Sequence, residues 1–204
     1  MREMSARERV VLAMNFEPTD RLPIMMNWLE DSYVLALTGM SEEEYWSDQI
    51  RAHARAFEIL GVDFCQQLAF PPREEDQRRW VQSEARDWAD PEAVAEDLER
   101  RTAAVEAELL TLESLREDHV QEICNYQVAI QGRLGDNCLW LFGMDSHGPA
   151  IIDFPYGIYG YEGFFLCVAV YPDVMERYWQ TLAQRARWHN QCVVEAARRL
   201  DWPR

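Results

Sequence analysis

Short apolar runs separated by longer, well-capped helical stretches limit what this chain can become. Three compact runs stand at residues 22–29, 62–68 and 138–142, with a shorter candidate at 80–83. The first is almost wholly apolar, as a strand covered on both faces is. The helical stretches carry local start and stop signals. Residues 4–14 open with Ser5 three positions before Glu8, and the segment containing Pro18 and Pro23 breaks them. Residues 41–60 open with Ser41 and Glu44 and close at Gly61. Residues 90–115 begin with Asp90 as cap and Pro91 at the first helical position. A helix over 118–134 places Val120, Ile123, Gln127, Ile130 and Leu134 at helical spacing, and two more cover 161–169 and 172–200. Strands alternating with helices of this length predict βαβ units and a parallel sheet.

A chain of 204 residues, 48% of them hydrophobic, can bury one substantial core, so one domain over residues 1–204 is expected. Its formal charge of −16 argues against phosphate-backbone binding, which needs clustered positive charge. All 20 basic residues are arginines, and a chain without lysine has neither a Schiff base nor a P-loop. The amino terminus lacks an apolar signal core, and no run approaches the length of a membrane span. Five scattered cysteines without paired spacing fit buried, reduced thiols; a cytoplasmic protein is expected, with no nucleic-acid or membrane partner.

Chemistry-bearing residues concentrate after the run at 138–142. His147 could act as acid or base near neutral pH, with Asp145 or Asp153 fixing its tautomer. Asn27, just after the first run, could hydrogen-bond a ligand or cap the following helix. His189 and Cys192 are neighbours on one helix, but two ligands do not make a metal site. No metal is therefore assigned to this chain. His53 and His119 are expected on helix surfaces, and Trp179 and Trp188 in the packing of the last helix.

The segment Ser5-Ala6-Arg7-Glu8-Arg9-Val10, with Asn15-Phe16-Glu17-Pro18-Thr19-Asp20-Arg21-Leu22-Pro23-Ile24, resembles the opening of the uroporphyrinogen decarboxylase family. It is most similar to the branch of corrinoid- and coenzyme-M-type methyltransferases. Residues 39–48, 60–64 and 160–182 resemble further family segments in the family's order. The resemblance implies the amino-terminal four or five βα units of an incomplete TIM-type (β/α)8 barrel, with parallel strands and helices outside. An incomplete barrel would leave an open strand edge, through which a homodimer could form.

The resemblance also implies methyl transfer between a small methylated compound or corrinoid and a thiol. The zinc of that branch would be held beyond Arg204, so no cofactor is expected in this chain. Tyr156, eight residues after Gly148, matches the spacing of a substrate-contacting tyrosine of the decarboxylases. Two departures weigh against tetrapyrrole decarboxylation. Residues 25–31 hold no arginine where the decarboxylases bind substrate carboxylates, and residues 64–68 hold no acidic residue. That activity, and a catalytically inactive fragment serving as a scaffold, are the alternatives.

Overall fold

The computed structural model describes residues 3–26, 29–66, 88, 90–141 and 154–202, without the side chains of Tyr156 and Gly157. The order is α1 (Ala6–Met14), α2 (Asp31–Thr38), α3 (Glu42–Ser47), α4 (Gln49–Leu60), β1 (Phe64–Cys65) and α5 (Pro91–Leu109). After a 3-10 turn (Leu112–Leu115) come α6 (Arg116–Leu134), β2 (Leu139–Trp140), α7 (Tyr156–Val170) and α8 (Pro172–Arg199).

The barrel expectation is overturned. Helix makes up 73% of the structure and strand 3%, and among the described residues the one sheet has two strands. β1 and β2 run parallel, with Phe64 opposite Leu139 and Cys65 opposite Trp140. The run at 22–29 contributes a single parallel bridge, Met25 to Phe64. The candidate at 80–83 lies outside the described residues. Four or five βα units are therefore not formed. Nor is the run at 22–29 covered on both faces as expected: Leu22 is 85% exposed, and Ile24 and Met25 are exposed too, so apolar composition alone overstates both strand and burial.

Helix boundaries follow local chemistry more closely. The Ser5 hydroxyl accepts the Glu8 amide at 3.2 Å, and Ser41 and Glu44 form a reciprocal capping box. The stretch 41–60 is two helices rather than one. Asp48 leaves helical geometry (φ −154°, ψ 80°), ends α3, and caps α4 by accepting the Arg51 amide at 2.9 Å. Asp90 caps α5 with Pro91 behind it, and Gly61 ends α4 in the left-handed region. The short helix α2 was not anticipated from the sequence.

The chain divides into two compact units. The first takes Met1–Arg73, Gln121–His147 and Glu195–Arg204, and the second Glu74–Val120 and Gly148–Val194. In the first unit, Phe57, Val62, Cys65, Ile130, Leu134 and Trp140 pack around the strands. A second cluster joins Val10, Leu139, Ala197 and Trp202, and a third Val34, Tyr45, Ala52 and Ala56. The second unit packs Val94, Leu98 and Val105 of α5 against Tyr159, Phe164, Met175, Tyr178 and Leu182. Close approach requires glycine at 163: a Cβ there would lie 2.0 Å from the Trp88 carbonyl oxygen. Among the described residues, no helix is long and apolar enough to cross a membrane.

Candidate functional site

The first unit is organised by an ion cluster at the amino-terminal ends of its parallel segments. Arg9 of α1 is 4% exposed and reaches two carboxylates. Its Nε donates to Asp20 Oδ1 at 2.6 Å and its Nη2 to Asp20 Oδ2 at 2.9 Å, while Nη1 meets Asp63 Oδ1. Arg21 donates from Nη2 to Asp63 Oδ1 at 2.9 Å and pairs with Oδ2 as well. Asp63 Oδ2 also accepts the Ile24 amide at 2.8 Å, tying the first segment to the start of β1. Arg9 in turn donates to the Met4 carbonyl at 2.7 Å. The hydrogen bond from Arg9 holds the Asp20 carboxyl well below the usual carboxylate range. The same contact raises the Arg9 guanidinium against the opposing effect of burial. Two guanidiniums balance two carboxylates, with Arg9 and Asp63 buried and Arg21 at the surface. Such a cluster fastens elements together; in barrels, too, this end of the strands serves stability.

At the opposite end, Met26, Gln66 and Leu141 follow three segments linked by backbone bonds. The Met26 amide donates to Phe64 O at 3.1 Å, Leu139 to Asp63 O at 2.8 Å, and Leu141 to Cys65 O at 3.0 Å. Two groups hold the chain that follows the first segment. His53 Nε2 lies 3.2 Å from the Leu29 carbonyl while Nδ1 lies 2.9 Å from the Gln49 carbonyl. The Tyr45 hydroxyl bonds Asp31, and burial, followed by that bond, raises the phenol's pKa. His53 is fully buried, against the expectation of a surface position. It shares a stripe with Ile50, Ala56 and Phe57 at helical spacing, a signal the sequence did carry.

The outer edge of β2 is sealed. The Trp140 amide donates to Gln131 Oε1 at 2.8 Å, and its carbonyl accepts from Gln127 Nε2 at 2.8 Å and from Trp202 Nε1 at 2.9 Å. Gln131 Nε2 reaches the Cys138 carbonyl at 3.1 Å. These side chains supply the bonds that a neighbouring strand would make. The open edge expected of a broken barrel is therefore not present at β2.

Of the residues singled out from sequence, Asn27, Asp145, His147 and Asp153 lie outside the described residues. Tyr156 is the first residue of α7, and its side chain lies outside them too. In the second unit a different tyrosine stands in a polar cluster. The Tyr159 hydroxyl donates to Asp97 Oδ2 at 2.7 Å, and Arg101 Nε donates to the same oxygen at 2.7 Å. Trp88 meets the Tyr159 ring edge-on at 4.9 Å. Burial and then Asp97 raise the Tyr159 phenol's pKa. Desolvation of Asp97 is outweighed by the bonds from Arg101 and Tyr159, which lower its carboxyl. The spacing of Asp97, Arg100 and Arg101 signalled the ion pairs, but not the tyrosine across from them.

The described histidines and cysteines are not arranged as a zinc site. His119 Nε2 lies 3.0 Å from His189 Nδ1, with Trp188 stacked on His119 at 4.9 Å. Cys65 Sγ and Cys138 Sγ lie 3.7 Å apart and buried, and the bond between them, with burial, pushes the Cys65 thiol up. A zinc ligand must be a thiolate, so this environment disfavours it. Among the described residues no group of three or more candidate ligands comes together. No family model, curated protein or solved structure matches the chain.

Proposed function

We propose that this chain carries ligand-binding segments of a uroporphyrinogen-decarboxylase-like enzyme whose reaction is methyl transfer between a corrinoid or small methylated compound and a thiol. One observation carries the reading. Asp63, from a segment resembling the family, pairs with Arg9 and Arg21 of the opening motif and receives the Ile24 amide. The residues behind the resemblance thus form one buried clasp, which gives their spacing a physical reason. The clasp holds the amino-terminal ends of the parallel segments.

In this reading Asn27 and Tyr156 hydrogen-bond the ligand. His147 moves a proton, and Asp145 or Asp153 orients it. The described cysteines and histidines do not fit the family's zinc, so no step is assigned to a metal. Equilibrium dialysis of the chain against hydroxocobalamin and against uroporphyrin tests the proposal. Retention of the corrinoid, weakened at least tenfold by Tyr156→Phe with Asn27→Ala, is the expected result. Retention of the porphyrin alone would replace methyl transfer with tetrapyrrole decarboxylation. Retention of neither would overturn both and leave a scaffold.

A further inference from the structure

We infer that the outward face of α7, with the adjoining groove on α8, is a docking site for a basic amphipathic segment of another protein. Within 161–170 the buried side is Gly163, Phe164 and Cys167, and the opposite side presents Tyr161, Phe165, Leu166 and Val170. These four are 66%, 57%, 40% and 55% exposed, and the rings of Tyr161 and Phe165 stack at 6.3 Å. They flank the exposed Glu162, so the outward face is a broad apolar surface with a carboxylate within it, as a surface beneath a partner can be. Beside it, Val168, Pro172, Met175, Trp179 and Ala183 line a groove of about 420 Å³.

Charge selects the occupant. Glu176 stands in the groove wall, with Glu162 and Asp173 exposed nearby in sequence. No arginine or lysine occurs between Arg133 and Arg177. The two arginines next along α8 are engaged, Arg177 with Glu106 at 2.7 Å and Arg185 with Glu108 at 3.4 Å. Asp90, Glu92 and Glu96 act on Tyr171, at the head of the groove, and add to burial in raising its phenol. A second copy of this chain is a poor occupant, because a two-fold pairing sets each carboxylate of the patch near its own copy. The exposed apolar area is on the order of 500 Å², short of the ~800 Å² per partner that a stable protein pair buries. A single helix with an apolar face and lysine or arginine flanks matches both the area and the charge.

The test uses the intact chain and two synthetic helical peptides of about 18 residues, one of leucine and lysine and one of leucine and glutamate. Calorimetric titration should show binding of the lysine peptide and at least tenfold weaker binding of the glutamate peptide. Phe165→Ser should reduce lysine-peptide affinity at least tenfold, and Glu176→Arg at least threefold, with unchanged far-ultraviolet circular dichroism. Both substituted side chains are exposed, so each variant should fold; if Phe165→Ser does not, Leu166→Ser provides the same test. Equal binding of both peptides, or of neither, would overturn the proposal. So would a dimer dispersed by Phe165→Ser, or tighter binding to anionic phosphatidylserine vesicles than to the lysine peptide.

Discussion

Asp63 is the carboxylate on which Arg9, Arg21 and the Ile24 amide converge. Removing its charge leaves the buried Arg9 with Asp20 as its one carboxylate partner among the described residues. Breaking a buried ion pair from one side costs about 3–5 kcal/mol, and Asp63→Asn should lower the urea-unfolding free energy by that order. A loss below ~1 kcal/mol would show that the clasp is dispensable. Asp20 gives the clasp a pH dependence whose sign is fixed. Its folded pKa lies below its unfolded value of ~4, so its contribution is complete above that value and lost as pH falls below it. Stability curves of the parent chain and Asp20→Asn should therefore converge on acidification; parallel curves down to pH ~2 would refute the assignment. Gly163 makes the corresponding demand in the second unit. Gly163→Ala forces a methyl group into the Trp88 carbonyl and should cost about 2 kcal/mol, read as a lowered melting temperature.

At the scale of elements, the parts legible in sequence were those fixed within a few residues. Ser5, Ser41, Asp90 with Pro91, and Gly61 mark helix ends because each cap bonds groups three or fewer positions away or relieves a local steric demand. Asp48 was missed because a residue that ends one helix while starting another leaves the apolar periodicity almost unbroken. Strand extent was not legible for a different reason. Within the runs at 62–68 and 138–142, Val62, Cys65, Cys138, Leu139 and Trp140 are buried as their composition implies, yet among the described residues only Phe64–Cys65 and Leu139–Trp140 form strands. Pairing depends on what lies across space, and at β2 the neighbour is a pair of glutamines rather than a strand. Gln127 looked like one member of a helical stripe; its acceptor, the Trp140 carbonyl, could not be read from spacing. The candidate site was less legible still. Its quoted residues, Asn27, Asp145, His147, Asp153 and Tyr156, rest on loop chemistry and resemblance, whereas the buried Tyr159–Asp97–Arg101 cluster joins residues 62 positions apart. Ser41→Ala tests the most local of these features and should cost about 1 kcal/mol, with little effect on other elements. A cost above ~3 kcal/mol would mean that the capping box supports more than α3.

Across the whole molecule, two compact units replace the expected run of barrel units, and three short parallel segments survive from that expectation. What separates this chain from a piece cut out of a barrel is the treatment of its strand edge. A cut edge exposes donors and acceptors that another strand could recruit. Here Gln131, Gln127 and Trp202 occupy them, the last brought back from the far end of α8. Sealing by side chains also removes the driving force for association at that edge. Amide hydrogen exchange at Trp140 measures this most directly. The account predicts slow exchange that does not change with protein concentration and accelerates at least tenfold in Gln131→Ala, where the amide loses its acceptor. Exchange near the rate of an unstructured peptide, or protection that grows with concentration, would mean that the edge is open and closed only by another chain.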